Sequence, residues 1–360
     1  MKRFLFAAVA AVLVASCATD RVKEYNRDEI NLGMSIENAT RGVTSTTQSL
    51  SKFNVFGFHD DETLMMTNVE VTKQADGNWA TAQKYFWPTT GSVDFYAYAT
   101  SDLNGHYFAG ETLSFLDWLY LRFEANPAKT GAPAGYTIPD IGCILPATIP
   151  ELLYATALDE VRQQTKVPMN FRRALAEVEF AAKNNSTSGL EITFGNYITV
   201  DKLYYVGKYY VPTTKSTYED FEVAASHGHW TLEGDPMIHV WKVQNTSAMV
   251  GSASDMGRHI TGMIIVNGDN LDAPNLVLPQ KGTYEVTVPV LIKQNGLVLY
   301  DGDMEFDIDA DWKEGYRYVY TLVLNDDSDL LWEIKFEATV DNIRDGGTDN
   351  IRVPDGTKLN

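Results

Sequence analysis

An alternating run of acidic residues late in the chain is a candidate metal-binding group. Its members are Asp301, Asp303, Glu305, Asp307, Asp309 and Asp311. Residues two apart share one face of a β-strand, so these carboxylates could form a ladder for divalent cations. The spacing does not fit an EF-hand loop, because counting from Asp307 the sixth position is Trp312 rather than glycine and the twelfth is Tyr318 rather than glutamate. We favour a solvated strand face whose like charges discourage edge-to-edge pairing, and we predict no bound metal.

Histidine and cysteine residues offer two further kinds of chemistry. His227 and His229 could ligate a metal ion, but the sequence fixes no third ligand beside them, although His239 is a candidate. Cys143 lies in the apolar run 141–145, which favours a buried, inert thiol over a nucleophile. The sequence contains no Gly-x-Ser-x-Gly, P-loop or His-Glu-x-x-His motif. We therefore predict no catalytic residue, no cofactor and no enzymatic activity.

The N-terminus points to a different chemistry, the attachment of lipid. A basic start precedes a short apolar run over residues 4–15, which is too short for a permanent membrane span. Small residues and then Cys17 follow. This pattern resembles a bacterial lipobox and predicts a signal peptide over residues 1–16, whose removal would leave Cys17 at the new N-terminus to carry lipid. The alternative is an ordinary signal peptide with an incidental cysteine.

The composition is that of a globular protein with an acidic surface. The chain has 360 residues, of which 44% are hydrophobic and 21% charged, enough for one large or two medium domains. The formal net charge of −19 argues against nucleic acid as a partner, because phosphate binding needs clustered Lys and Arg. There are two cysteines, so Cys143 has no disulfide partner within the chain if Cys17 carries lipid.

The elements behind the signal begin with a tether and a strand. Residues 17–28 are polar and charged, which is typical of a flexible tether. From Glu29 to Glu37 apolar and polar residues alternate, and this predicts a half-buried strand. Its apolar positions are Ile30, Leu32, Met34 and Ile36. A polar, turn-like segment that contains Arg41 comes next.

Short alternating segments separated by turn residues recur along the rest of the chain, and this pattern favours β-sandwiches. Five prolines predict a loop-rich connection over residues 126–150. The best helix candidate is residues 152–164. We predict an all-β protein with two sandwich domains in tandem, over 29–155 and 156–345, followed by a tail over 346–360.

Several phrases spread along the chain resemble the fimbrillin family of Bacteroidales lipoproteins. They are Trp79–Thr81, Tyr85–Pro88, Val93–Ala99, Glu151–Ala155, Val167–Phe180, Leu276–Gln280, Trp312–Leu322 and Ile334–Val340. Their order matches that of the family and covers nearly all of the chain behind the signal.

The resemblance implies a subunit of a type V pilus built from two transthyretin-like or Ig-like Greek-key β-sandwiches. In that family, lipoprotein precursors reach the outer membrane and the cell surface, and an arginine-specific protease removes an N-terminal strand. A strand of another subunit then fills the groove. In this chain the strand over Glu29–Glu37 would be the removable one and Arg41 the candidate cleavage site. Arg21 and Arg27 are rivals, but cutting there would leave the strand in place.

The partners implied by the resemblance are other pilus subunits, the protease, the outer membrane through lipid, and a host or glycan ligand. Stalk subunits take their donor strand from a C-terminal extension, whereas the tail 346–360 is short of β-forming residues, which leaves a tip or accessory position open. The alternative function is a surface glycan-binding lipoprotein, which the 12% of aromatic residues would suit. A secreted hydrolase is disfavoured because no hydrolase motif is present.

Overall fold

A computed structural model of the chain describes residues 28–36, 50–60, 64–100, 121–127, 137–144, 152–204, 206–212, 228–243, 248–250, 258–261, 263–266, 269–272, 275–325, 333–342, 348–352 and 358–359. Every long regular element within these residues is a β-strand, which confirms the predicted all-β class. No helix of this part of the chain has the length and apolar character needed to cross a bilayer.

The strands of the first half follow the chain at short intervals. They are β1 (Leu32–Ile36), β2 (Lys52–His59), β3 (Leu64–Lys73), β4 (Trp79–Thr81), β5 (Ser92–Thr100), β6 (Leu121–Pro127), β7 (Thr137–Ile144), β8 (Leu152–Val161) and β9 (Val167–Arg173). All except β6 and β7 belong to one sheet, in the order β1-β9-β8-β5-β2-β3-β4. The predicted N-terminal strand is therefore the edge strand β1.

This first sheet curls so that its two ends approach each other. The ring of Phe53 on β2 lies 5.2 Å from that of Trp79 on β4 and 5.1 Å from that of Phe171 on β9. These rings sit in a core formed by the inner face of the curled sheet. Because β4 and β9 lie near opposite ends of the strand order, one aromatic side chain contacts both ends.

Strand β8 replaces the helix expected over residues 152–164, so that prediction is wrong. Leu153 and Ala155 point into the core of the curled sheet, whereas Leu152 and Tyr154 point into a second core on the opposite face. Burial on both faces removes the polar alternation by which a strand is normally recognised. The domain border expected at 155/156 falls inside β8, and the first sheet continues to Arg173.

The strands of the second half are β10 (Ala176–Asn184), β11 (Leu190–Phe194), β12 (Tyr197–Leu203), β13 (Val206–Tyr210), β14 (His229–Glu233), β15 (Met237–Lys242), β16 (Met249–Val250), β17 (Arg258–His259), β18 (Met263–Val266), β19 (Asp269–Asp272), β20 (Leu276–Val277), β21 (Lys281–Gln294), β22 (Leu297–Asp311), β23 (Tyr316–Asn325), β24 (Glu333–Asn342), β25 (Thr348–Arg352) and β26 (Lys358–Leu359). One sheet has the order β17-β10-β23-β24-β25 and another β15-β12-β21-β11-β16, with β22 beside β21. Both contribute to one apolar core, so they pack face to face as a sandwich. Strand β25 lies within the tail 346–360, which is short of β-forming residues, and it pairs antiparallel with β24.

Strands from both halves of the chain build a separate sheet in the order β14-β13-β7-β6. Strand β7 lies within the segment 126–150 that was expected to be mainly loop, and β6 reaches its first two residues. Pro139 of β7 is opposite Ala125 of β6, whereas the pairing with β13 ends at Asp140. Pro139 therefore lies beyond the pairing with β13, where its missing N–H removes no hydrogen bond to that strand.

The two halves also meet through the second apolar core. Its first-half members are Phe56, Phe58, Tyr96, Tyr98, Leu152, Tyr154 and Leu158, and its second-half members are Ala174, Leu175, Tyr209, Val211, Leu276 and Leu278. The outer face of the first sheet is therefore covered by residues from several parts of the second half.

Candidate functional site

Residues 28–36, here called the closing segment, fill the space between the two ends of the first sheet. Its first part pairs with the strand-like residues that follow β4. The Ile30 N–H donates to the Tyr85 carbonyl at 2.8 Å, and the Trp87 N–H donates to the Asp28 carbonyl at 3.0 Å. These two bonds flank an antiparallel bridge, so residues 28–30 are held as a short strand.

The second part of the closing segment pairs with a different neighbour. The Val167 N–H donates to the Asn31 carbonyl at 2.8 Å, and β1 then runs parallel to β9, with Leu32 opposite Val167 and Met34 opposite Met169. The segment therefore changes its backbone partner at Asn31. One short peptide satisfies backbone groups on both ends of the curled sheet.

The side chains predicted to form the apolar face of this strand lie as follows. Ile30 and Leu32 are buried, with 8% and 3% of their surfaces exposed, and Met34 packs against the same core while partly buried. Ile36 is opposite Phe171 at the end of β1. Of Ile30, Leu32 and Met34, Leu32 is therefore the most buried.

Polar side chains fasten the start of the closing segment on both flanks. The Arg162 Nε atom lies 2.7 Å from Asp28 Oδ2, and the Lys84 Nζ atom lies 2.6 Å from Glu29 Oε2. Arg162 directly follows β8, whereas Lys84 directly precedes residues 85–87, which pair with residues 28–30. We call these four residues the ionic clasp.

A neutral polar contact fastens the other end of the segment. The Ser35 hydroxyl donates to Asn170 Oδ1 at 2.6 Å. Among the described residues, charged side chains thus hold the start of the segment, and the neutral pair of Ser35 and Asn170 holds it near its end.

Removal of the closing segment would open a groove with a defined chemistry. The inner-core side chains Val167 and Met169, both fully buried, would lose their cover, and so would the ring pair of Trp87 and Phe95 at 6.0 Å. The backbone edge of β9 and residues 85–87 would lose their hydrogen-bond partners. An apolar cleft flanked by unpaired strand edges can bind an incoming β-strand.

Several residues singled out in the sequence lie outside the described residues. These are Cys17, Arg21, Arg27, Arg41 and His227. Lipid attachment at Cys17 and cleavage at Arg41 therefore stay predictions.

The two described histidines of the hypothetical metal site occupy different surroundings. His229, on β14, stacks on Tyr210 at 4.9 Å, whereas His239, on β15, is buried with its ring edge-on to Trp241 at 5.3 Å. Burial lowers the pKa of His239 to about 4. Among the described residues, no three His, Cys, Asp or Glu side chains are grouped so that they could hold a metal ion.

The acidic ladder lies on one face of β22, as predicted. Asp301, Asp303, Asp307, Asp309 and Asp311 are exposed and Glu305 is partly exposed, while Met304, Phe306 and Ile308 point into the sandwich core. Neighbours on β21 bind two of the carboxylates: the Thr283 hydroxyl donates to Asp309 Oδ1 at 2.6 Å, and Lys281 Nζ lies 3.4 Å from Asp311 Oδ2.

Aromatic residues do not form an exposed platform in the part of the chain that the structure describes. Trp87, Trp241 and Trp312 are buried, and the exposed aromatic residues of this part are Phe86 and Tyr197. The aromatic share that would suit a glycan-binding protein is thus largely used in the cores.

Sequence reasoning missed the ionic clasp entirely. Asp28 and Arg162 are 134 residues apart. No local pattern connects a carboxylate in a tether to an arginine behind a distant strand. Only the pairing of β1 with β9, which brings the segment beside the end of β8, could have indicated the contact.

The fold and the N-terminus together define a membrane-anchored, all-β lipoprotein. A model of prokaryotic membrane lipoprotein lipid attachment sites matches residues 1–18, which include Cys17. A fimbrillin-like family model matches residues 147–342. The chain belongs to the fimbrillin-like family, and the predicted family is confirmed. This membership supports a role as a membrane-anchored surface fimbrial protein, and the family is generally non-enzymatic.

Comparison with known proteins gave several similar solved structures. A protein of Bacteroides uniformis proposed to act in cell adhesion has a TM-score of 0.43 and 15% identity, over 88% of this chain and 98% of its own. The fimbrial anchor protein Mfa2 of Porphyromonas gingivalis has a TM-score of 0.33 and 12% identity, over 87% and 98%. A fimbrial assembly protein of Parabacteroides distasonis has a TM-score of 0.35 and 11% identity, over 90% and 99%. No curated protein matches the sequence.

Proposed function

We propose that this chain is a fimbrial subunit that reaches the outer membrane as a lipoprotein acylated on Cys17. It assembles by strand exchange after an arginine-specific protease cuts at Arg41. The observation that carries this proposal is the closing segment, a short peptide between Cys17 and Arg41 that completes the first sheet.

The energetics of the closing segment suit a removable strand. Burial of Ile30 and Leu32 stabilises the attached segment, with roughly 1.5–3 kcal/mol for each fully buried aliphatic side chain. Its removal leaves strand edges whose backbone groups need new partners. A strand from another subunit would restore both the apolar contacts and the backbone hydrogen bonds, so exchange can be close to neutral in free energy.

The position of Arg41 suits the cut. It follows β1 by a few residues, in a stretch that contains Asn38, Thr40 and Gly42. A cut at this point would separate lipid, tether and closing segment together from the rest of the chain. A cut at Arg27 would remove the lipid and tether but leave the closing segment attached.

The decisive experiment is N-terminal sequencing of the surface protein from cells with and without an arginine-specific protease. With the protease we expect Gly42 as the first residue together with ladders of polymer, and without it an acylated Cys17 and monomer.

The matched variants are Arg41→Lys, which keeps the charge but should stop both cleavage and polymerisation, and Arg27→Lys, which should change neither. Surface protein that still begins at Cys17 in protease-competent cells would overturn the proposal.

A further inference from the structure

We propose that the ionic clasp makes the groove selective for a donor strand with acidic residues directly before its alternating apolar residues. The partner is thus a strand of another subunit that repeats the order found in Asp28, Glu29, Ile30 and Leu32. This inference rests on the proposed strand exchange and specifies which strand is accepted.

The backbone contacts of the closing segment cannot select a sequence. Carbonyl and N–H groups of Tyr85, Trp87 and Val167 hold it, and every peptide presents the same groups. The apolar places of Ile30 and Leu32 require only alternation, which most amphipathic strands share. The distinctive polar features of the segment are the neutral pair of Ser35 with Asn170 near its end and the acidic pair that precedes the apolar residues, and only the acidic pair carries charge.

The two cations of the ionic clasp flank the start of the groove. Arg162 lies on the β8 side and Lys84 on the side of residues 85–87, at 2.7 Å and 2.6 Å from their carboxylate partners. They belong to a chain with 48 acidic and 29 basic residues. When the closing segment leaves, the carboxylates of Asp28 and Glu29 leave with it, so the mouth of the groove loses two negative charges beside Arg162 and Lys84. An acidic strand is attracted there, whereas a basic strand is repelled.

The clasp also sets the register of the donor strand. A shift by one residue would turn the apolar side chains to the wrong face. A shift by two residues would keep the faces but move the carboxylates away from Arg162 and Lys84. The acidic pair therefore distinguishes registers that the apolar pattern alone would allow.

The expected contribution is modest, because all four side chains are partly exposed. The exposed fractions are 27% for Asp28 and 46% for Arg162, against 36% for Glu29 and 70% for Lys84. Exposed ion pairs each contribute a small amount and are weakened by salt, so we expect roughly a three- to tenfold effect on affinity for the two pairs together.

The test uses the full chain cleaved by the arginine-specific protease and two fluorescent peptides that span residues 28–40. One has the native sequence, and the other carries Asp28→Asn and Glu29→Gln. Fluorescence anisotropy at low salt and in high NaCl gives both affinities. We expect tighter binding of the native peptide at low salt, and a difference that disappears in high NaCl.

Protein variants complete the test. Arg162→Gln with Lys84→Gln should remove the preference for the native peptide. The matched control is Lys52→Gln, which breaks the exposed pair with Glu70 on β2 and β3, at 3.4 Å, and should preserve the preference. Equal binding of both peptides to the unaltered protein would overturn the proposed selectivity of the ionic clasp, but it would not contradict strand exchange. Binding of neither peptide overturns both proposals.

Discussion

The hydroxyl of Tyr154 on β8 donates a hydrogen bond to Oε1 of Glu314, in the turn before β23, at 3.0 Å. The two residues are 160 positions apart and join the first sheet to the second half of the chain. Burial and the neighbouring Glu314 carboxylate raise the pKa of Tyr154 well above its ordinary value. The phenol therefore stays protonated and available as a donor.

Replacement of this donor should weaken the contact between the halves. Tyr154→Phe removes the hydroxyl and deprives a buried carboxylate of a donor, so we expect a loss of about 2 kcal/mol in the free energy of unfolding. Urea denaturation monitored by fluorescence measures it. Tyr197→Phe, at an exposed tyrosine, serves as the control. An equal effect of both variants would show that the hydrogen bond adds nothing.

Burial of His239 predicts a loss of stability in acid. Its pKa is lowered from 6.5 to about 4, so the folded state prefers the neutral ring. The resulting stability is complete above about pH 6.5 and falls as the pH decreases towards 4, by up to about 3 kcal/mol.

The variant His239→Gln should therefore lose less stability between pH 7 and pH 4 than the natural chain. Urea denaturation at several pH values measures the difference, with His229→Gln as the exposed-histidine control. Identical pH profiles of His239→Gln and the natural chain would contradict the role of burial.

Leu32 should dominate the attachment of the closing segment. Leu32→Ala leaves a cavity in the inner core, with an expected cost of about 2–4 kcal/mol. Hydrogen exchange of β9 amides reports the local effect, since β9 is the direct neighbour of β1. Asn31→Ala alters an exposed neighbour and should change little. Unaltered exchange in the Leu32 variant would mean that the segment contributes little to this core.

Arg317 should be essential for the sheet that contains β10 and β23. Its Nη2 atom lies 2.6 Å from Glu179 Oε2, and its Nε atom lies 3.4 Å from Glu177 Oε1, with all three side chains buried or nearly so. Arg317→Met leaves two buried carboxylates without this cation, and we expect a loss of about 3 kcal/mol or more.

Thermal denaturation can measure that loss. Lys281→Met is the matched control, because Lys281 makes an exposed pair with Asp311 whose loss should cost little. A small change in the Arg317 variant would contradict the expected dependence on this ion pair.

Calcium should not bind the acidic ladder. Carboxylates two apart on a strand are separated by about 7 Å along the chain, so neighbours would have to lean towards each other against their mutual repulsion to share an ion held at about 2.3–2.6 Å. Isothermal titration of the full chain with CaCl2 should give no more heat than a variant with Asp303→Asn and Asp307→Asn. Saturable binding that these substitutions abolish would establish a site.

The sequence predicted a strand correctly where polar and apolar residues alternate clearly along it. The ladder on β22 and the strand that begins at Leu32 each have one polar and one apolar face, so their sequences predicted strands. Strand β8 is buried on both faces and therefore shows no such alternation, so its sequence was interpreted as a helix. The ionic clasp and the bond between Tyr154 and Glu314 depend on pairing between distant strands, which no local pattern encodes.

The parallel pairing of β1 with β9 joins two strands that are far apart in the chain, so the order of export would delay the folding of the first sheet. Ser35 bonds to Asn170 across 135 residues of chain. A chain exported from its N-terminus delivers β1 first, and β9 arrives only after β2–β8 have crossed. During that interval an amphipathic strand waits without its neighbour, exposed to aggregation. In a chain exported from its N-terminus, the pairing of β1 with β9 would therefore form only after the strands between them had crossed.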